Sequence, residues 1–159
     1  MAKIKIISVG DFKESYLREA FSEYKKRLSA YAETEELTLP EERIRNEDSE
    51  SEVRAALMRE GEKIIAAAPR DAFRIALCVE GRELDSPTLA KEISRALDGS
   101  GKICFIIGSS HGLADTVKRD AHLKLSFSKM TFPHQLMKVI LAEAVYRSFT
   151  IIAGKKYHK

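Results

Sequence analysis

Ile103-Cys-Phe-Ile-Ile-Gly-Ser-Ser-His-Gly112 sets five apolar residues in a row against a turn of glycine and small polar residues. Five residues make a strand and are too few for a helix, and the lack of polar alternation means that both strand faces are covered. Residues 73–79 read the same way, and 3–9 alternate, fill with Ile and Val, and close at Gly10. Strands buried on both faces belong to parallel sheets, whose crossovers are helices. Helical spacing is found where those crossovers should lie. Leu17, Ala20, Phe21, Tyr24, Leu28 and Tyr31 predict an amphipathic helix over 12–32, opened by Asp11 and Glu14 as a capping box. Val53, Ala56, Leu57, Ile64 and Ile65 predict a second over 51–68, stopped by Pro69, and Ser86-Pro87 caps and opens a third. Short strands are expected over 35–39 and 123–127, a turn at Gly81, and a long last helix over 133–152. The fold class is therefore α/β, a parallel-rich sheet sandwiched by helices, in a single domain over 1–159.

Apolar residues at 44% and charged residues at 32% are an ordinary globular balance, which excludes disordered, collagen-like and membrane-spanning classes. Lysines break the apolar stretch of Met1-Ala-Lys-Ile-Lys-Ile-Ile-Ser-Val-Gly10, so it reads as a strand and not as a secretory signal. The expected location is the cytoplasm. Cys78 and Cys104 lie within apolar segments and read as reduced core residues, with no disulfide and no metal expected. The net charge of +3 is unevenly spread: 1–117 carry 18 Lys and Arg against 22 Asp and Glu (−4), and 118–159 carry 9 against 2 (+7). A basic last quarter on a mildly acidic body is the footprint of a polyanion partner, or else a solvated face.

Open parallel sheets bind ligands beyond the carboxyl ends of their strands. That rule selects the loops 80–82, 108–112 and 126–133. The dinucleotide pattern Gly-x-Gly-x-x-Gly and the Gly-Lys-Ser/Thr phosphate loop are both absent, which counts against NAD and ATP. There is no Gly-x-Ser-x-Gly elbow, no His-Glu-x-x-His helix and no spaced cysteine pair, and His111, His122, His134 and His158 lack metal-ligand spacing. The residues by themselves define an α/β domain with a ligand cleft and a basic C-terminal face.

Ser126-Phe-Ser-Lys-Met-Thr-Phe-Pro-His134 and the ending Tyr157-His-Lys159 carry a more specific signal. With Val9-Gly10, Arg59-Glu-Gly-Glu62, 77–81 and Ile106-Ile-Gly108, they closely resemble the ribosomal RNA large subunit methyltransferase H family over essentially the whole chain. The resemblance implies a C-terminal trefoil knot of the SPOUT (α/β-knot) kind, an obligate homodimer, and S-adenosyl-L-methionine as cofactor. It implies methylation of N3 of a pseudouridine in helix 69 of 23S ribosomal RNA in the assembled ribosome. Carried over by position, the cofactor contacts are Leu77, Gly108, Phe127, Ser128, Lys129, Met130, Thr131 and Phe132. The family usually shows a second glycine after Gly108. Ser109 would carry about 1–2 kcal/mol of strain there if the position needs a positive φ.

A weakly acidic imide nitrogen attacks well only if its proton leaves or a cation stabilises the anion. His158, which titrates near neutral pH, is the candidate base, Tyr157 the stacking or orienting group, and Arg147 the oxyanion or phosphate contact. Lys155, Lys156 and Lys159 would contact RNA phosphates. The resemblance implies that this tail reaches the cofactor loops of the other subunit. Plainer readings exist for the same residues. Arg147 can pair with Glu143 four positions earlier, and Leu77, Phe127, Met130 and Phe132 can be core. A non-catalytic ribosome- or RNA-binding module would share the basic tail, and an α/β enzyme of free nucleotides would share the cleft.

Overall fold

A computed structural model describes all of residues 1–159. The elements run β1 (Ala2–Val9), α1 (Ser15–Leu28), β2 (Ala32–Leu39), α2 (Glu50–Ala67), β3 (Phe73–Glu83), α3 (Ser86–Ser100), β4 (Lys102–Ile107), α4 (Asp115–Asp120), β5 (Leu123–Ser126) and α5 (His134–Ile152). The five strands form one sheet in the order β2-β1-β4-β3-β5, and every neighbouring pair is parallel. Side chains alternate between the two faces, as the period of two requires. Ile4, Ile6, Ile75, Ile103 and Phe105 meet Phe21 of α1, Ile93 of α3 and Leu141 of α5 on one face. Ile7, Ala76, Cys104 and Ile106 meet Ile64 of α2 and Val117 of α4 on the other. Burial raises the Cys104 thiol to about 12, so it is a core residue without thiolate chemistry.

Two caps differ from expectation. Glu14 is the N-cap of α1 but makes no side-chain cap bond. Asp11 is drawn off instead: it accepts the Phe12 N–H at 2.8 Å and pairs with Arg18. The cap of α3 is Asp85, whose Oδ1 accepts the Thr88 N–H at 2.8 Å, with Pro87 in the first turn.

Gly81 does not turn the chain. Leu77 and Arg82 both stand opposite Leu125, so residues 78–81 bulge out of β3. A Cβ at Gly81 would lie 2.8 Å from the Lys124 carbonyl, so the bulge can form only with glycine at this point. Nor is the apolar run of β3 unbroken. Arg74 is buried within it and engages Asp120 at 3.2 Å together with the carbonyls of Arg70 and Ala72. No helix is long and apolar enough to cross a membrane, and no group of three His, Cys, Asp or Glu side chains could hold a metal.

Candidate active site

The carboxyl ends of β3, β4 and β5 open on a cavity of about 680 Å³. Small-molecule sites occupy roughly 300–1,000 Å³. The bulge delivers Leu77 to Glu80 to one wall, Gly108 to Leu113 form a second, and the segment after β5 a third. Of the residues carried over by position, Leu77, Gly108, Phe127, Ser128, Met130, Thr131 and Phe132 line this cavity. Lys129, which is exposed, does not. Ser109, Ser110, His111, Lys118, His134 and Met137 also line it and were not anticipated. A groove of about 770 Å³ along α2 and α4 is larger. It mixes Glu47, Glu50 and Asp115 with Arg54 and Arg119, and lies away from the strand ends that sheet topology selects.

The loop after β4 is tight. A Cβ at Gly108 would fall 2.2 Å from the Gly112 carbonyl oxygen, and Gly112 has φ +92. Ser109 takes no positive φ and is unstrained; its carbonyl accepts the Gly112 N–H at 2.9 Å. In the third wall, Ser126 Oγ donates to the Ser128 carbonyl and Ser128 Oγ accepts the Met130 N–H, both at 3.0 Å. These bonds leave Met130 projecting at the mouth, 72% exposed. Lys118 pairs with Glu80 across the rim and holds its carboxyl below the usual range.

The C-terminal cluster is a separate construction. Gly154, at φ +68, turns the chain back after α5, and the Lys155 N–H bonds the Thr150 carbonyl at 2.8 Å. Tyr157 and His158 thereby return alongside α5. Glu143 Oε1 accepts from Arg147 Nη2 at 2.6 Å, from Arg147 Nε at 2.9 Å and from the Tyr157 hydroxyl at 3.1 Å. The Arg147 guanidinium lies 4.7 Å from the centre of the Tyr157 ring, whose edge meets Tyr146. Burial and Glu143 push the Tyr157 phenol up, so it stays a hydroxyl. Arg147 Nη1 also stands 3.2 Å from His158 Nδ1. A guanidinium can only donate, so Nδ1 accepts and the imidazole N–H is on Nε2. Lys155, Lys156 and Lys159 are exposed and form no ion pair. No residue of 143–159 lines the cavity of its own chain.

A parallel α/β sheet with a small-molecule cavity at its carboxyl rim, and no nucleotide or metal motif, defines an enzyme that handles a compact organic ligand. Comparison with known proteins narrows this. The model of the family described as predicted SPOUT methyltransferase matches residues 2–158, and the chain belongs to that family. It is 48% identical over 157 residues to the ribosomal RNA large subunit methyltransferase H of Shouchella clausii, covering 98% of this chain and 99% of that one. It is 46% identical to the protein of the same name from Bacillus pumilus, with the same coverage. The tRNA (m1G37) methyltransferase of Aquifex aeolicus shares the fold at a TM-score of 0.55 and 13% identity, covering 91% of this chain and 69% of that chain. The α/β-knot class expected from the sequence is thus the class of the family, and the chain is a methyltransferase.

Proposed function

We propose that this methyltransferase uses S-adenosyl-L-methionine to methylate N3 of a pseudouridine in helix 69 of 23S ribosomal RNA, acting as a homodimer on the ribosome in the cytoplasm. The observation that carries this reading is the division of the molecule into a small-molecule cavity and a separate cationic cluster around Arg147, Tyr157 and His158. The names of the relatives from Shouchella clausii and Bacillus pumilus support a ribosomal RNA acceptor.

The cavity suits the cofactor chemically. Leu77, Phe127, Phe132 and Met137 offer apolar surface to an adenine, and backbone of the 108–112 loop offers polar atoms. The one lysine in its lining, Lys118, is neutralised by Glu80, so the site does not repel a sulfonium. The bound cofactor would supply a methyl group already activated for in-line displacement. What the chain must then do is hold the nucleophile about 3–3.5 Å away and exclude water.

On this reading Tyr157 stacks the acceptor base, and Arg147 turns from His158 toward the base oxygen on which negative charge develops. That turn frees His158 Nδ1 to take the N3 proton. Lys155, Lys156 and Lys159 hold flanking phosphates. Since the cluster lies outside its own chain's cavity, the two meet when the tail of one subunit reaches the loops of its partner. The test is mass spectrometry of 23S ribosomal RNA after incubating unmethylated ribosomes with the protein and the cofactor. A single added methyl on the pseudouridine of helix 69 is expected, and unchanged RNA would overturn the assignment. A calorimetric titration without heat would instead favour a binding module of the same fold.

A further inference from the structure

Glu60 is the only acidic residue among the buried ones, 4% exposed, and it does not line the cavity. It sits on α2. Its Oε2 accepts the Glu42 N–H at 2.9 Å, while Oε1 has no hydrogen-bond partner. The Ser109 side chain is the other polar group against it. Burial pushes this carboxyl above its ordinary range, the Glu42 amide and Ser109 oppose the shift, and Glu41 and Glu42 add to it. A hydrophobic side chain of similar volume would fill the place at lower cost, so the carboxyl is there for what it contacts.

Those contacts converge on one loop. The next residue, Gly61, lets α2 approach the chain just beyond the loop. A Cβ there would sit 3.1 Å from Ala114 Cβ and 3.2 Å from Val117 Cγ2. From the other side, Ser110 Oγ donates to Glu41 Oε1 at 3.2 Å, and His111 Nε2 lies 3.7 Å from Glu47. The 108–112 loop is therefore held between α2 and the 41–47 segment, and Glu60 touches both.

We propose that Glu60 is a positioning residue that fixes the 108–112 loop for the cofactor, by clamping Ser109 on one side and the Glu42 backbone on the other. This rests on the cofactor reading given above. The test is calorimetric titration of S-adenosyl-L-methionine into the wild type, Glu60→Ala, Glu60→Gln, Ser109→Ala and the Glu60→Ala, Ser109→Ala double variant, with turnover measured at saturating cofactor. Glu60→Ala should weaken cofactor binding about tenfold and leave kcat within about twofold. Glu60→Gln, which keeps an acceptor for the Glu42 N–H, should recover to within about threefold of the wild type. The double variant should bind no more weakly than Glu60→Ala, because both changes break one contact. Wild-type affinity in Glu60→Ala, or full additivity in the double variant, overturns the proposal. If Glu60→Ala does not fold, Ser109→Ala decides alone: a several-fold loss is expected, and unchanged affinity overturns it. A wild type that takes up no cofactor would instead remove the function proposed above.

Discussion

The rim of the sheet and the C-terminal tail differ in what holds them. The rim is backbone built on a packed core: the bulge of β3 is pinned against Lys124, the 108–112 loop closes on itself at Gly112, and side-chain bonds from Ser126 and Ser128 fix the third wall. The tail is a set of mostly exposed side chains gathered on one carboxylate, Glu143. A cavity that needs only folding to exist can be complete in one chain, whereas a cluster facing away from its own cavity needs a second chain to have a target. Under the proposed function the two halves should fail independently. The largest effect is expected from Arg147→Ala, which removes an oxyanion donor and should lower kcat about 10²–10³-fold with cofactor affinity unchanged. If calorimetry showed cofactor binding falling in parallel, the two halves would not be separate.

The rim should fail in the opposite way. A methyl at position 108 meets the backbone of Gly112, which no side-chain rotation can relieve. Gly108→Ala should therefore cost about 1–3 kcal/mol of loop geometry, seen as a 10- to 100-fold rise in the cofactor Kd. Full affinity in this variant would mean that the loop is not part of the site. The dimer reading sharpens the contrast further. Mixing Gly108→Ala and His158→Ala subunits should restore about a quarter of wild-type activity, since half the dimers pair unlike chains and each of those has one intact site. No recovery after verified subunit exchange would place both halves of the site in the same chain.

The strands were legible because apolar runs such as Ile103 to Ile107 have one physical meaning at that length between helices. Gly81 was misread because a bulge and a turn both call for glycine, and only the approach of the Lys124 carbonyl tells them apart. That error hid part of the site: it is the bulge that brings Cys78 to Glu80 to the cavity wall, while Lys129 points elsewhere. The expected capping box at α1 failed because Asp11 had a competing partner in Arg18, which is seven residues away and outside any local pattern. In the tail, the pairing of Arg147 with Glu143 follows from their spacing. The return of Tyr157 and His158 depends on the positive φ of Gly154, which the sequence announces only as a glycine after a helix. The plain reading of Arg147 as a salt bridge and its place in the cluster turn out to be the same fact.

That double role gives the smallest of the expected effects and the finest test of the comparison. Glu143 serves Arg147 and Tyr157 at once, but the Arg147 pair is a partly exposed i,i+4 contact on a helix, where such pairs contribute about 0.3–0.5 kcal/mol. The amide oxygen of Glu143→Gln still accepts from both donors, so only the Coulombic part is lost. The expected fall in kcat is therefore about twofold, shrinking further as salt is raised, with the cofactor Kd unaltered. A loss well beyond tenfold that persists at high salt would mean that the charge of Glu143 acts on the reacting base itself. The tail would then be a catalytic centre with its own buried electrostatics, and not a set of exposed groups waiting for a partner's cavity.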